Sequence, residues 1–215
     1  MPVSLNQILE MPNAAILAEQ IQSALECEKA EREHFYETIE ENRKMEFING
    51  EILFQSPVRI EHNQATKKVC KLLDTFVDKQ DLGFVGIEKI LVSLTRNDYE
   101  PDVCFFGNAK AENFKTGQMQ FPAPDLAIEV LSDSTERHDR VTKFADYAAH
   151  GVREYWIIDP KKETVEQYVL QNETYELLLK SSSGEIQSIV LENFVIPIHA
   201  IFDKQANLEA LKKLI

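Results

Sequence analysis

Three carboxylate residues stand inside segments that otherwise have the apolar pattern of buried β-strands. Asp102 and Asp125 each follow a proline and precede a short apolar run, PDVCFF and PDLAIEVLS, and Glu129 interrupts the second run between Ile128 and Val130. Burying an ionised carboxylate without a partner is costly. Because two carboxylates that lie close together repel each other, a shared proton or a divalent cation is expected beside them.

The alternation of side chains along a strand predicts which of these carboxylates could meet. Successive side chains point to opposite faces of a sheet. Glu129 therefore shares a face with Asp125 and Leu131, and Asp102 shares a face with Cys104. If the two strands are neighbours, Asp102 and Glu129 point into one cleft beside the sheet. This cleft is the candidate site.

Length and composition limit the class of protein. The chain has 215 residues, of which 44% are hydrophobic, so it can bury a substantial core and is not generally disordered. No apolar run approaches the roughly 20 residues that cross a bilayer, and the amino terminus lacks a secretory pattern. The three cysteines, Cys27, Cys70 and Cys104, have no CxxC spacing. This cysteine usage favours a reducing compartment, so we expect a cytoplasmic protein.

The charge of the chain argues against a general nucleic-acid-binding surface. The formal net charge is −13, whereas proteins that bind nucleic acid usually carry a basic patch. Any such patch here must be local. Lys67, Lys68 and Lys71 form one cationic run, although such a run is more often a solvated helix face.

Sequence periodicity predicts the elements that must position the carboxylates. Asn49-Gly50 between apolar flanks predicts a β-hairpin, and HNQATKKVCKLLDTFVDKQ predicts a helix with one apolar face. FVGIEKILVSL, PDVCFF and PDLAIEVLS predict three strands. STERHDRVTKFADYAAHG predicts a helix that ends at Gly151, and EYWIIDP predicts a central strand. TVEQYVLQNETYELLL predicts a further hairpin, and SIVLENFVIPIHAIF predicts further strand.

The first part of the chain differs from the rest. Residues 1–45 carry apolar positions at Ile16, Leu17, Ile21 and Leu25, followed by a heavily charged stretch. This pattern predicts an appended amphipathic helical arm, and a homodimer formed through the arm is the alternative to a simple appendage. Residues 46–215 are predicted to form one domain.

The order helix, strand, strand, strand, helix, strand, with Pro-Asp on one strand and an acidic residue on the next, resembles the PD-(D/E)XK nuclease superfamily. More narrowly, the segments NGEILFQSP, EPDVCFF, PDLAIEVLSDST and GVREYWIIDP resemble the Uma-type family of restriction endonucleases over approximately residues 47–202. The resemblance implies an α/β (α+β) fold with a restriction-endonuclease-like αβββαβ core. A mixed sheet, extra C-terminal strands and an N-terminal helical arm complete the expected architecture.

The resemblance also implies roles for individual residues. Asp102 corresponds to the aspartate of the Pro-Asp element and Glu129 to the acidic residue of the (D/E)XK element. The chain departs from the superfamily at the lysine, because Leu131 stands two residues after Glu129. The implied replacement is Lys143, on the following helix. We expect Lys143→Ala to cause a large loss of cleavage while leaving metal binding and stability nearly intact.

Four residues are weaker candidates for the site. Glu51 and His62 correspond to the family's acidic and histidine positions near the first helix, with Glu61 as a competitor. Tyr147 is expected on the same helical face as Arg140 and Lys143. Ordinary structural roles also fit two of the candidates: His62 suits the capping region of a helix, and the last candidate, Asp125, suits a structural role at the start of its strand.

The implied activity is metal-dependent hydrolysis of phosphodiester bonds, most simply in DNA. Asp102, Glu129 and the backbone carbonyl of Val130 would hold Mg²⁺ or Mn²⁺, and Lys143 would orient the attacking water. We expect weak, salt-sensitive binding to DNA, because the chain is acidic. Two alternatives stay open: a non-catalytic interaction module on a nuclease fold, and a phosphodiesterase that acts on a small substrate.

Overall fold

The computed structural model describes residues 4–39 and 43–214. Contacts within the chain divide it into two compact units, Met1–Gln55 and Ser56–Ile215. The predicted division into a helical arm over residues 1–45 and a domain over residues 46–215 stays a prediction. Within residues 4–39 and 43–214, no helix combines the length and the apolar character that a membrane span requires.

The first unit contains two helices and a β-hairpin: α1 (Leu5–Leu9), α2 (Ala14–Thr38), β1 (Met45–Ile48) and β2 (Glu51–Phe54). The strands β1 and β2 are antiparallel. Asn49 and Gly50 connect them with positive φ angles of 53° and 85°. A two-residue turn with both φ angles positive matches the twist of a hairpin, so the hairpin prediction is confirmed.

Three of the apolar residues in the first half of α2 are exposed. Ile16, Ile21 and Leu25 keep 57%, 51% and 46% of their surface accessible. Further along the helix Phe35 is buried, with its ring centroid 5.8 Å from that of Phe47. The predicted homodimer through this arm stays a prediction.

The second unit contains four α-helices among its described residues, together with a π-helical turn (His138–Thr142) and a 3₁₀ turn (Ile198–Ile201). The α-helices are α3 (Ile60–Gln80), α4 (Asn108–Ala111), α5 (Lys143–Ala149) and α6 (Lys204–Leu214). Its strands are β3 (Gly83–Ile87), β4 (Leu91–Ser93), β5 (Asp98–Tyr99), β6 (Val103–Gly107), β7 (Gln120–Phe121), β8 (Leu126–Val130), β9 (Glu154–Asp159), β10 (Thr164–Gln171), β11 (Thr174–Ser181), β12 (Glu185–Gln187) and β13 (Val195–Pro197).

A six-stranded mixed sheet forms the centre of this unit, in the order β11-β10-β9-β8-β6-β3. β8 and β9 run parallel, and the other neighbouring pairs are antiparallel. All six residues of β9 are buried, as expected for a strand with a neighbour on each side. The mixed sheet and the central position of β9 confirm the predicted fold class.

The two faces of the sheet carry different neighbours. On one face the apolar side of α3, including Val69 and Leu72, forms the main core with Ile128 of β8 and Trp156 of β9. Glu129 points to the other face, where it meets α5. The alternation predicted for β8 is therefore observed, and it presents the carboxylate of Glu129 to the side that α3 does not cover.

Two predicted strands differ from the structure. FVGIEKILVSL is divided into β3 and β4, because Glu88 adopts a positive φ of 56° and the chain turns there. In SIVLENFVIPIHAIF only β13 is a strand, since the amides of Ile189 and Val190 bond to the Glu154 carboxylate at 3.0 and 3.1 Å. The helix α6, which follows this segment, was not predicted.

Candidate functional site

Asp102 and Glu129 are brought to the same end of two adjacent strands. β6 and β8 are antiparallel with Val103 opposite Ile128. Continuing this register by one residue sets Asp102 opposite Glu129, and the β-carbons of such pairs are typically about 5 Å apart. Both side chains are buried. Their approach to within bridging distance of one cation stays a prediction.

The carboxylate of Asp102 is fixed through its Oδ2 atom. The N–H of Val130 donates to this oxygen at 2.8 Å, and His62 Nε2 lies 3.3 Å from it. His62 comes from the first turn of α3 and is buried. The structure therefore joins Asp102 to the backbone of the residue that follows Glu129. The carbonyl of Val130 as a metal ligand stays a prediction.

The carboxylate of Glu129 receives two side-chain donors from α5. Lys143 Nζ donates to Glu129 Oε1 at 3.1 Å, and Tyr147 OH donates to the same atom at 3.2 Å. Both donors are fully buried. The lysine and the tyrosine predicted from the family resemblance thus lie in contact with the glutamate of β8.

Lys143 contacts a second carboxylate in addition to that of Glu129. Its ammonium is 3.1 Å from Glu129 Oε1 and 3.2 Å from Asp139 Oδ1, and the side chain is 1% exposed. The Tyr99 ring lies beneath it, with its centroid 5.7 Å from Nζ, in the range of a cation–π contact. Asp139 was not predicted, although its position four residues before a lysine on a helix is the spacing of an ion pair.

A π-helical turn sets the spacing of these residues. The amide of Lys143 bonds to the carbonyl of His138, five residues earlier. Such turns are rare and often lie at functional sites. Arg140, predicted on the face of Lys143 and Tyr147, instead forms two bonds with the Glu166 carboxylate at 2.8 and 3.1 Å. Asp139, rather than Arg140, lies beside Lys143.

Two other residues predicted as weaker site candidates, Asp125 and Glu51, belong to other parts of the fold. Asp125 directly precedes β8, about 13 Å along the strand from Glu129 at 3.3 Å per residue. Its carboxylate accepts the Gly107 amide at 2.8 Å and binds Lys110 at 3.0 Å. Burial opposes ionisation of Asp125, but these partners outweigh it and hold its pKa below the usual range. Glu51 is exposed on β2, in the other unit, and its role stays a prediction.

Two buried tyrosines near Lys143, Tyr99 and Tyr155, have pKa values raised above the usual range. Burial raises the pKa of Tyr99, and the neighbouring carboxylate of Asp146, which accepts its hydroxyl at 2.8 Å, raises it further. Burial also raises the pKa of Tyr155, as do the charges of Glu129 and Asp139. The ammonium is therefore surrounded by buried groups that include neutral tyrosine hydroxyls.

The donors at this site suit a hard divalent cation. Across residues 4–39 and 43–214, no three histidine, cysteine, aspartate or glutamate side chains are grouped so as to hold a metal ion. Mg²⁺ does not need such a group, because it keeps several waters and binds one or two carboxylates together with substrate phosphates. Asp102 and Glu129 supply carboxylates of the kind that Mg²⁺ binds, and their role as its ligands stays a prediction.

One family model and one relative are similar to this chain over most of its length. The family model Uma2, described as "Putative restriction endonuclease", matches residues 32–199. The "Uncharacterized protein sll1609" of Synechocystis sp. (strain ATCC 27184 / PCC 6803 / Kazusa) is 31% identical over 149 residues, which cover 67% of this chain and 83% of that protein.

A solved structure shares the fold. The crystal structure described as "a putative nuclease belonging to DUF820" from Anabaena variabilis ATCC 29413 superposes with a TM-score of 0.66 at 20% identity, covering 78% of this chain and 94% of that one. The restriction-endonuclease-like fold predicted from the sequence is confirmed, and so is the family resemblance. The chain belongs to the Uma2 family.

Proposed function

We propose that this protein is a metal-dependent endonuclease that hydrolyses phosphodiester bonds in DNA. The nuclease fold and the family support hydrolase activity in general. The observation that carries the finer proposal is the buried contact of Lys143 with Glu129, next to Asp102. Two acids and a lysine from three separate segments, near one end of the sheet, support a site for metal-assisted hydrolysis of a phosphodiester bond.

Asp102 and Glu129, with the carbonyl of Val130, would hold Mg²⁺ or Mn²⁺. Nucleases with this fold generally use divalent metals. Such a metal, when bound, would supply a Lewis acid that polarises the scissile phosphate and lowers the pKa of a bound water. Hard cations of this kind prefer oxygen ligands, which these residues supply.

The other residues of the site would position the reacting groups. Lys143 donates hydrogen bonds, so its ammonium orients the attacking water or stabilises the charge that develops on the phosphate. Tyr147 fixes the Glu129 carboxylate, and His62 fixes that of Asp102. The burial of these donors strengthens each interaction, because little water competes with them.

DNA would bind weakly, through a local group of cations. Arg59, shortly before His62, binds Asp133 at 3.0 Å, and Lys161, which follows β9, binds the same carboxylate. All three side chains are at least half exposed. Because β8 and β9 are parallel, these loops lie at the end of the sheet that holds Glu129. A phosphate backbone there would meet two cations despite the net charge of −13.

A homodimer formed through α1 and α2 is the proposed assembly. The exposed apolar side chains Ile16, Ile21 and Leu25 support it. Light scattering of the full chain should give twice the monomer mass, and Ile21→Glu with Leu25→Glu should return the mass to that of a monomer. A wild-type monomer at all concentrations contradicts this assembly.

The acidic balance of the chain favours one competing function, a phosphodiesterase with a small substrate. Leu131 at the usual lysine position favours another, a non-catalytic interaction module. The test is cleavage of supercoiled, linear and single-stranded DNA, and of bis(p-nitrophenyl) phosphate, with Mg²⁺, Mn²⁺ or EDTA. We expect metal-dependent cleavage of DNA, with a loss of at least about 100-fold in Asp102→Asn.

Asp125→Asn is the control for this test, because Asp125 lies at the other end of β8 and should leave the rate unchanged. Cleavage of the small diester alone would support the phosphodiesterase. If no substrate is cleaved under any condition, the interaction module is the better account.

A further inference from the structure

The ammonium of Lys143 has a second carboxylate neighbour whose function the proposed mechanism leaves unexplained. Asp139 Oδ1 lies 3.2 Å from Lys143 Nζ, and Glu129 Oε1 lies 3.1 Å from it on the strand side. Asp139 is 1% exposed. A lysine that only neutralised the buried glutamate would require no second buried aspartate, because burying each additional charge is costly.

We propose that Asp139 is a positioning residue, which holds the Lys143 ammonium in place while Glu129 binds the divalent cation. This proposal rests on the proposed function of the site. A cation on Glu129 weakens the attraction of that carboxylate for the ammonium, and the two positive charges repel each other. Asp139 then remains as the anion that keeps Lys143 beside the reacting phosphate.

Asp139 is itself held by groups that do not depend on Lys143. Tyr155, buried on β9, donates its hydroxyl to the Asp139 carbonyl at 2.9 Å. The Asp139 amide bonds to the Thr135 carbonyl at 3.0 Å. The backbone of Asp139 is therefore tied to the sheet and to the preceding turn, so its carboxylate offers a fixed point for the ammonium.

The arrangement also bears on metal affinity. In the present structure Glu129 shares the ammonium with Asp139. Without the aspartate, Lys143 would pair with Glu129 alone and compete with the cation for that carboxylate. Asp139 thus favours metal binding, because it partly neutralises the ammonium that would otherwise compete with the cation for Glu129. This effect requires Lys143.

The test measures Mn²⁺ binding by calorimetry and DNA cleavage in the full chain, for Asp139→Asn, Lys143→Met and the double variant. We expect Asp139→Asn to weaken Mn²⁺ binding about tenfold and to lower kcat by about 10- to 100-fold with KM for DNA unchanged. In the Lys143→Met background the same substitution should change neither quantity. Glu136→Gln, which removes an exposed carboxylate from the same helical segment, is the control and should behave as wild type.

Two results would overturn the proposal: wild-type values of both quantities in Asp139→Asn, or an effect of Asp139→Asn that persists without Lys143. If Asp139→Asn does not fold, Tyr155→Phe removes only the hydroxyl that holds the Asp139 carbonyl. Tyr155→Phe should give a smaller change in the same direction. Values equal to those of wild type in this variant would overturn the proposal. A failure of the proposed function can be told apart from a failure of this proposal. In that case wild type would bind Mn²⁺ but cleave no DNA, and the Mn²⁺ affinities of the variants would then test the role of Asp139. A wild type that binds no Mn²⁺ overturns both.

Discussion

The ammonium of Lys143 lies 3.1 Å from Glu129 Oε1, and both side chains are buried, with 1% and 3% of their surface exposed. Glu129 belongs to the strand β8, whereas Lys143 is the first residue of α5 on the face that α3 does not cover. A lysine two residues after Glu129 would share its face, but Leu131 stands there. In this chain the lysine beside the acidic residue therefore comes from the helix α5.

Burial of Lys143 predicts that its loss affects stability as well as activity. The sequence suggested that Lys143→Ala would leave stability nearly intact, but this ammonium lies between two buried carboxylates. Removing one member of a buried ionic group typically costs about 3–5 kcal/mol. We expect Lys143→Met to lower the free energy of unfolding by that amount in urea titrations, and to lower cleavage by at least about 100-fold.

Lys162→Met is the control for this substitution, because its side chain is 72% exposed and pairs with Asp159 at the surface. It should change the free energy of unfolding by less than about 1 kcal/mol. If the two variants are equally stable, the buried pairing of Lys143 is contradicted.

The hydroxyl of Tyr147 should have a measurable but smaller effect. It donates to Glu129 Oε1 at 3.2 Å, the same atom that receives Lys143. Tyr147→Phe keeps the ring and removes this bond. We expect a loss of about 1 kcal/mol in the free energy of unfolding and a fall in cleavage of up to about tenfold, measured under saturating metal. A fall as large as that of Lys143→Met would mean that the hydroxyl acts directly on the substrate.

Several parts of the site could be predicted because they depend on local pattern. Glu129 could be recognised as a charged residue inside an apolar strand, and the alternation of side chains along β8 predicts the face of the sheet on which it lies. The family resemblance suggested Lys143 and Tyr147, which the structure brings to Glu129. The period of a strand is enough to give the face of Glu129, whereas the assignment of Lys143 depended on the resemblance.

The parts that sequence did not predict depend on irregular backbone or on distant partners. Asp139 reaches Lys143 through a π-helical turn, which no residue pattern indicated. The bend at Glu88 requires a positive φ of a residue that rarely adopts one. The segment after β12 forms a loop rather than a strand because it bonds to Glu154, more than thirty residues earlier.

Acid should weaken the fold through Glu166. Burial raises the pKa of this carboxyl, but bonds from Arg140, Tyr168 and Lys180 outweigh burial and lower the pKa to about 2. The unfolded chain has a value of about 4.3. Because the folded value is the lower one, this stabilisation is complete above about pH 5 and is lost as the pH falls towards 2.

The measurement is urea unfolding of wild type and Glu166→Gln between pH 7 and pH 2.5. At pH 7 the variant should be less stable by roughly 3 kcal/mol, and the difference should shrink as the pH falls. A difference that stays constant with pH would show that the charge of Glu166 is not responsible.

Binding to DNA should depend steeply on salt. The few exposed cations near the site, such as Lys161, must act against a net charge of −13. Fluorescence anisotropy with a short duplex between 50 and 200 mM salt, roughly the range over which phosphate contacts are screened, should show a linear fall of log affinity with log salt. Lys161→Ala should reduce the slope by about one.

Lys212→Ala removes the same charge from an exposed position on α6 and should leave the slope unchanged. Tight binding that does not respond to salt would mean that DNA contacts a different surface.

The most direct test of the central claim is DNA cleavage by wild type and Glu129→Gln, each with Mg²⁺ and with Mn²⁺. The substitution keeps the shape of the side chain but removes the charge that would bind the cation and that pairs with Lys143. Glu166→Gln is the matched control, since it removes a buried, paired glutamate outside the site. We predict cleavage by wild type and by the control with either metal, and a loss of at least about 100-fold in Glu129→Gln. Unchanged cleavage by Glu129→Gln would contradict the proposed site.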